Sequence, residues 1–214
     1  MFIKHRVGGN KQLILNLQAF CRKELIVIQK VTRGPSAALL PVPAVLVTSR
    51  LEGSEPNIIT IAWTGVMSSE PPVVYISVRP VGRHSYRLIK DSGEYVINIP
   101  SADQIKMVDY CGVVTGKDVN KFKETGLTPV PGARVRAPLI AECPVNIECR
   151  VRQILSLGSH DVFISDVLAV HYNSQVLDEK GRPDMEKIRP YGYCTGEYRE
   201  LADRIGRYGF SKRE

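Results

Sequence analysis

Two arginines, a histidine, two serines and a tyrosine fall within the run Ser77-Val78-Arg79-Pro80-Val81-Gly82-Arg83-His84-Ser85-Tyr86, between an apolar strand pattern and helical spacing. A helix N-terminus offers unpaired N–H groups and a partial positive charge, and arginine adds paired donors. A phosphate monoester is the group such an arrangement would hold. The same residues also read as a serine cap with solvated arginines beside it. A second candidate lies upstream, where Thr60-Ile61-Ala62-Trp63-Thr64-Gly65 runs off a strand into a small-residue loop ahead of Ser68-Ser69. Small residues let a flat ring approach backbone N–H and C=O groups. The alternative is that Trp63, the one tryptophan, fills the core and Gly65 makes a turn.

Nucleophilic and metal chemistry find less support. No Ser/His/Asp or Cys/His arrangement stands out. The five cysteines (Cys21, Cys111, Cys143, Cys149, Cys194) are odd in number and lack CxxC spacing, which argues against a disulfide framework and a zinc site. Inert, buried thiols in a reducing, cytoplasmic setting are expected, and no metal.

The elements that must position these groups read mostly as strands. Pro43–Ser49 and Asn57–Trp63 flank the turn Glu52-Gly53-Ser54 as a hairpin, and Val73–Val78 follows Pro71-Pro72. A short helix should start with Ser85 as its N-cap and stop near Gly93, before a strand at Tyr95–Ile99. Two short helices fit between Ser101 and Gly126. Glu142–Ile154 alternates, with Cys143, Val145, Ile147, Cys149 and Val151 on one side and Glu142, Asn146, Glu148, Arg150 and Arg152 on the other, as in a half-buried antiparallel strand. It should pair with Val162–Val170 across the turn Gly158-Ser159-His160-Asp161, and Glu197–Arg207 has helical spacing. Six or more closely spaced strands with a few helices predict an all-β, or β-rich α+β, antiparallel barrel. Links such as Gly53 and Gly158 are too short to carry the crossover helices of a parallel sheet.

The chain has 214 residues and a net charge of +7. Residues 1–33 hold seven basic groups (Lys4, Arg6, Lys11, Arg22, Lys23, Lys30, Arg33) against Glu24, whereas the rest hold 22 basic and 21 acidic groups. The expectation is a basic N-terminal extension over residues 1–29 and one nearly neutral domain over residues 30–214, with no nucleic-acid partner. No apolar run reaches the roughly 20 residues of a membrane-spanning helix, so no membrane role is expected.

Taken in order, T-x-A-W-x-G at Thr60–Gly65, a loop ending in Pro71-Pro72, a strand ending in S-x-R at Ser77 and Arg79, and Ser85-Tyr86 opening a helix resemble the flavin reductase-like family of FMN-binding split barrels, particularly its flavoredoxin-like members. Asp118–Phe122, Gly158–Val167, Gly196-Glu197-Tyr198 and Tyr208–Ser211 continue the resemblance. It implies an antiparallel split β-barrel with inserted short helices and bound FMN. It implies that Thr60, Ala62, Trp63 and Thr64 contact the flavin ring, and that Ser77, Arg79, His84, Ser85 and Tyr86 surround the ribityl phosphate. Lys121 would be a further phosphate contact. Gly158, His160 and Asp161 match a segment beside the nicotinamide or flavin, with His160 either orienting the electron donor or serving as a turn residue. The implied activity is electron transfer from NAD(P)H or a redox partner through FMN to flavin, ferric iron or a partner protein. The alternative is a carrier without its own NAD(P)H oxidation. A homodimer whose interface completes the flavin site is also implied.

Overall fold

The structure is a computed structural model and describes residues 13–17, 26–201 and 203–212. Cys21 and the leader residues Lys4, Arg6, Lys11, Arg22, Lys23 and Glu24 lie outside the described residues. The chain divides into two compact units, Met1–Ala38 and Leu39–Glu214. In the first, β1 (Leu13–Leu17) pairs antiparallel with β2 (Ile26–Lys30), placing Leu13 opposite Lys30.

The second unit is built on a seven-stranded antiparallel sheet. Its strands are β3 (Val45–Ser49), β4 (Asn57–Ile61), β5 (Thr64–Ser69), β6 (Pro72–Val78), β7 (Glu94–Ile99), β10 (Val145–Ser156) and β11 (Asp161–Tyr172), with β8 (Pro129–Val130) and β9 (Leu139–Ile140) forming a separate small pair. The order β4-β3-β7-β10-β11-β6-β5 places β4 and β5 at opposite edges, although only Ala62 and Trp63 separate them in the chain. Alternate residues of the strands point into one core, including Val47, Ile59, Ile76, Ile97, Cys149 and Phe163, which Ile89 from helix α1 (His84–Ser92) joins. The opposite faces of β3 and β4 send Leu46 and Ile58 into a second core. There they meet Val108 and Cys111 of α2 (Ile105–Val113) and Phe122 of α3 (Lys121–Thr125). Burial on both faces explains why these strands read as continuous apolar runs.

Four expectations need correction. Thr64–Ser69 is strand β5, paired with β6 through a register shift between Val66 and Ser68, and not a loop. Ser85 does not cap α1. Arg83 holds the N-cap position without a side-chain capping hydrogen bond, and Ser85 lies in the first turn, fully buried. The polar side of β10 is only partly solvated: Arg150 and Arg152 are exposed, but the segment 131–140 covers Asn146 and Glu148. Asn146 donates to Asn98 Oδ1 and the Ile140 carbonyl, while buried Glu148 accepts from the N–H groups of Ala133, Arg134 and Val135 and pairs with His171. Burial alone would push the Glu148 carboxyl up, but the bonds from His171 and these N–H groups hold it below its ordinary value.

Finally, the tail is not helical. After α4 (Met185–Ile188), Tyr191–Cys194 forms β12 and pairs with β13, Glu197–Glu200. Thr195 and Gly196 turn the chain at positive φ, and Tyr198 packs on the rings of Tyr191 and Tyr193 at 6.2 and 5.4 Å. That aromatic packing overrides the helical spacing of Tyr198, Leu201 and Ile205. No helix among the described residues is long and apolar enough to cross a membrane.

Candidate functional site

The end of β4 is held against α2 by two contacts. The Thr60 hydroxyl donates to the Val108 carbonyl at 2.5 Å, and Gly112 lets the helix approach so closely that a Cβ there would stand 3.3 Å from Thr60 Cβ. At the corner that follows, the Ser77 N–H donates to the Trp63 carbonyl at 2.8 Å, and Thr64 Oγ1 donates to the Tyr75 carbonyl at 2.6 Å. With its backbone tied down, Trp63 presents a half-exposed ring that stacks on His160, with centroids 5.8 Å apart and planes 30° apart. His160 stands at the β10–β11 turn, and Ser159 Oγ lies 2.9 Å from its Nδ1. Burial, then the charges of Arg79 and Arg83, lower the imidazole pKa and favour the neutral ring.

These residues edge a cavity of about 400 Å³. Thr60, Ala62, Trp63, Ser77, Arg79 and His160 all line it. Across from them stand Asp109, Gly112 and Val113 of α2 and Tyr193, Gly196 and Tyr198 of the β12–β13 hairpin. Tyr198 donates its hydroxyl to Asp109 at 3.3 Å. Burial and then that carboxylate push its pKa up to about 12, so it stays a donor at neutral pH.

A second, water-sized niche of about 10 Å³ shares Ile59 and Arg83 with the large cavity. His84, Ser85 and Lys121 line it with Asn57, Gly82 and Gly116, and no carboxylate is among its lining residues. Asn120 caps α3, its side chain accepting from the Lys123 N–H, and this presents Lys121 inward. The Lys121 side chain is 3% exposed. Its ammonium donates to the carbonyls of Ile58 at 2.8 Å and Cys111 at 2.7 Å. Burial lowers its pKa to about 8. His84 is lowered too, by burial and then by Lys117, Lys121 and Arg87.

The expected site therefore divides. Thr64 and Tyr86 line neither space. Tyr86 donates its hydroxyl to Asp161 Oδ2 at 2.6 Å and packs edge-on to Phe163, so it serves the core. Ser77 and Arg79 belong to the large cavity, and His84, Ser85 and Lys121 to the niche. Arg83, which shares its sequence run with them, stands where the two spaces meet and donates to the Gly112 carbonyl at 3.3 Å. Asn57, Gly112 and Gly116 carried only the weak signal of polar and small residues at element ends. Asp109 and Tyr193 carried none and Tyr198 only its place in the resemblance, since their gathering depends on α2 and on an unforeseen hairpin. Among the described residues no group of three or more His, Cys, Asp or Glu side chains is placed to hold a metal ion.

The model of the flavin reductase like domain matches residues 37–202. This chain belongs to the flavin reductase-like family. Solved structures similar to this chain include the flavoredoxin of Desulfovibrio vulgaris (Miyazaki F), 31% identical with a TM-score of 0.80 over 86% of this chain and 100% of that one. The flavoredoxin of Methanosarcina acetivorans is 24% identical, with a TM-score of 0.78 over 86% of this chain and 98% of that one. An FMN-binding protein of Thermus thermophilus is 23% identical, with a TM-score of 0.70 over 83% and 98%. The antiparallel split barrel of the family is the fold seen here. The cavity and the niche adjoin each other between β4 and the start of α1, sharing Ile59 and Arg83.

Proposed function

We propose that this protein is an FMN-binding oxidoreductase. The ring would lie in the large cavity beside Thr60, Ala62, Trp63 and His160, and one phosphoryl oxygen would enter the niche formed by Arg83, His84, Ser85 and Lys121. The observation that carries this reading is Lys121. A nearly buried ammonium bonded to two neutral carbonyls, next to a second cation and a helix start, is a site whose charge balance calls for an anion. The names of the similar flavoredoxin and FMN-binding proteins point the same way.

Bound FMN supplies the redox chemistry, and the side chains bind it, orient it and set its surroundings. Trp63 and His160 form one aromatic wall, with neutral His160 able to donate or accept one hydrogen bond to a bound reactant. The niche fixes the phosphate end. Electrons would come from NAD(P)H or a redox partner and pass to an acceptor such as flavin, ferric iron or a partner protein. The chain has Ser159 in the Gly158–His160 segment where the reductase pattern often has an acidic residue, which favours the second reading, a flavoredoxin-like carrier. Val66 and Met67 are exposed on edge strand β5 next to Trp63, which supports a homodimer that covers the ring; sedimentation should give twice the monomer mass.

Anaerobic mixing of the FMN-loaded protein with NADH and NADPH, followed by flavin absorbance, separates the two readings. Rapid bleaching identifies a reductase, and no bleaching a carrier. A protein that fails to take up FMN sinks both.

A further inference from the structure

Asn57 opens β4 and is buried at the rim of the niche, where its side-chain N–H donates to Ser85 Oγ at 2.7 Å. Serine in a helix commonly gives its proton to a carbonyl one turn back. Ser85 stands in the first turn of α1, and among the described residues its hydroxyl makes no hydrogen bond other than the one it accepts from Asn57. A hydroxyl oxygen occupied as an acceptor keeps its own proton to give. Asn57 in turn is seated on bare backbone. A Cβ on Gly116 would lie 2.0 Å from Asn57 Oδ1, so any larger residue there would displace the amide. The other polar groups lining the niche include Arg83 and Lys121, which can only donate.

We propose that Asn57 is a positioning residue: by donating to Ser85 Oγ it turns the serine proton toward the niche, so that Ser85, Lys121 and Arg83 converge as donors on a terminal phosphoryl oxygen of FMN. A neutral amide does this without bringing in the negative charge that would repel the phosphate. The inference rests on the reading that FMN phosphate enters the niche. It adds that selectivity for the phosphorylated flavin depends on a residue that does not itself touch the phosphate, with Gly116 as its seat.

The test is a cycle of Asn57→Leu, Ser85→Ala and the double variant, each titrated with FMN and with riboflavin by quenching of flavin fluorescence. Wild-type protein should prefer FMN by at least about tenfold, as expected when charge-assisted hydrogen bonds are present in only one ligand. Asn57→Leu should lower that preference several-fold and leave riboflavin affinity within about twofold. In the Ser85→Ala background the same change should cost nothing further, because Asn57 acts through that hydroxyl. Equal loss of FMN and riboflavin, or effects that multiply in the double variant, would overturn the role of Asn57. A wild-type protein with no preference for FMN would overturn the phosphate reading itself. Should Asn57→Leu not fold, Asn57→Ala carries the same cycle: its loss of FMN preference should vanish in the Ser85→Ala background, and a loss that persists there would refute the proposal.

Discussion

The niche at the start of α1 and the cavity below Trp63 share Arg83 and Ile59 but are made of opposite material. The niche is narrow, its lysine and serine are buried, and its charges are all positive. The cavity is roomy, its indole is half exposed, and it carries one carboxylate, Asp109, beside its arginines. Buried charge without a counter-ion is costly to keep and is relieved when an anion arrives, whereas an open aromatic wall binds weakly and exchanges its occupant easily. The phosphate end should supply most of the flavin's affinity, while the ring end leaves one face for a second reactant.

That contrast breaks most readily at Arg83. Arg83→Ala should weaken FMN binding by about 1.5–3 kcal/mol, the worth of a hydrogen bond to a charged group, and leave riboflavin almost unchanged by calorimetry. Arg79→Ala should cost FMN less; if it costs more, the phosphate sits in the large cavity and the two regions have been assigned the wrong way round. The next effect is on pH. Burial lowers Lys121 to about 8, so in the flavin-free protein its ammonium is lost as pH rises through that value. FMN affinity should fall above about pH 8, and Lys121→Met should bind FMN more weakly and flatten the profile. The sign for stability is opposite. A lysine whose folded pKa lies below its unfolded value near about 10.4 makes the flavin-free protein more stable as pH rises from about 8 to about 10.4, which urea titrations would show.

At the ring end, Trp63→Ala should weaken FMN and riboflavin alike by about 0.5–1.5 kcal/mol, the range of one aromatic contact. A loss confined to FMN would remove Trp63 from the ring wall. The smallest effect is expected for Tyr198→Phe. Its bond to Asp109 is long and exposed, so flavin affinity should change by less than about 1 kcal/mol in the same titration.

The same contrast governed what could be read from sequence. Most strands were legible because β3, β4, β6 and β7 are rich in buried apolar residues, and α1 ended where Gly93 takes up a left-handed φ of 67°. The run Ser77–Tyr86 stood out as a candidate because its residues lie close together in the chain. Tyr86 was misplaced since its hydroxyl is claimed by Asp161, 75 residues away, which no local pattern reports. Ser85 was taken for a cap because a serine before an apolar helix usually is one; here Asn57, 28 residues upstream, supplies its partner. The far wall of the cavity was invisible for a similar reason. Tyr193 and Tyr198 meet across a hairpin whose turn uses Thr195 at φ 46°, an unusual conformation for a β-branched residue.

The most direct measurement is a pair of titrations of the flavin-free full chain at about pH 7, one with FMN and one with riboflavin. The division into a phosphate niche and an open ring cavity requires FMN to bind at least about tenfold more tightly, with the difference abolished by Arg83→Ala. Equal affinities for the two flavins would contradict it.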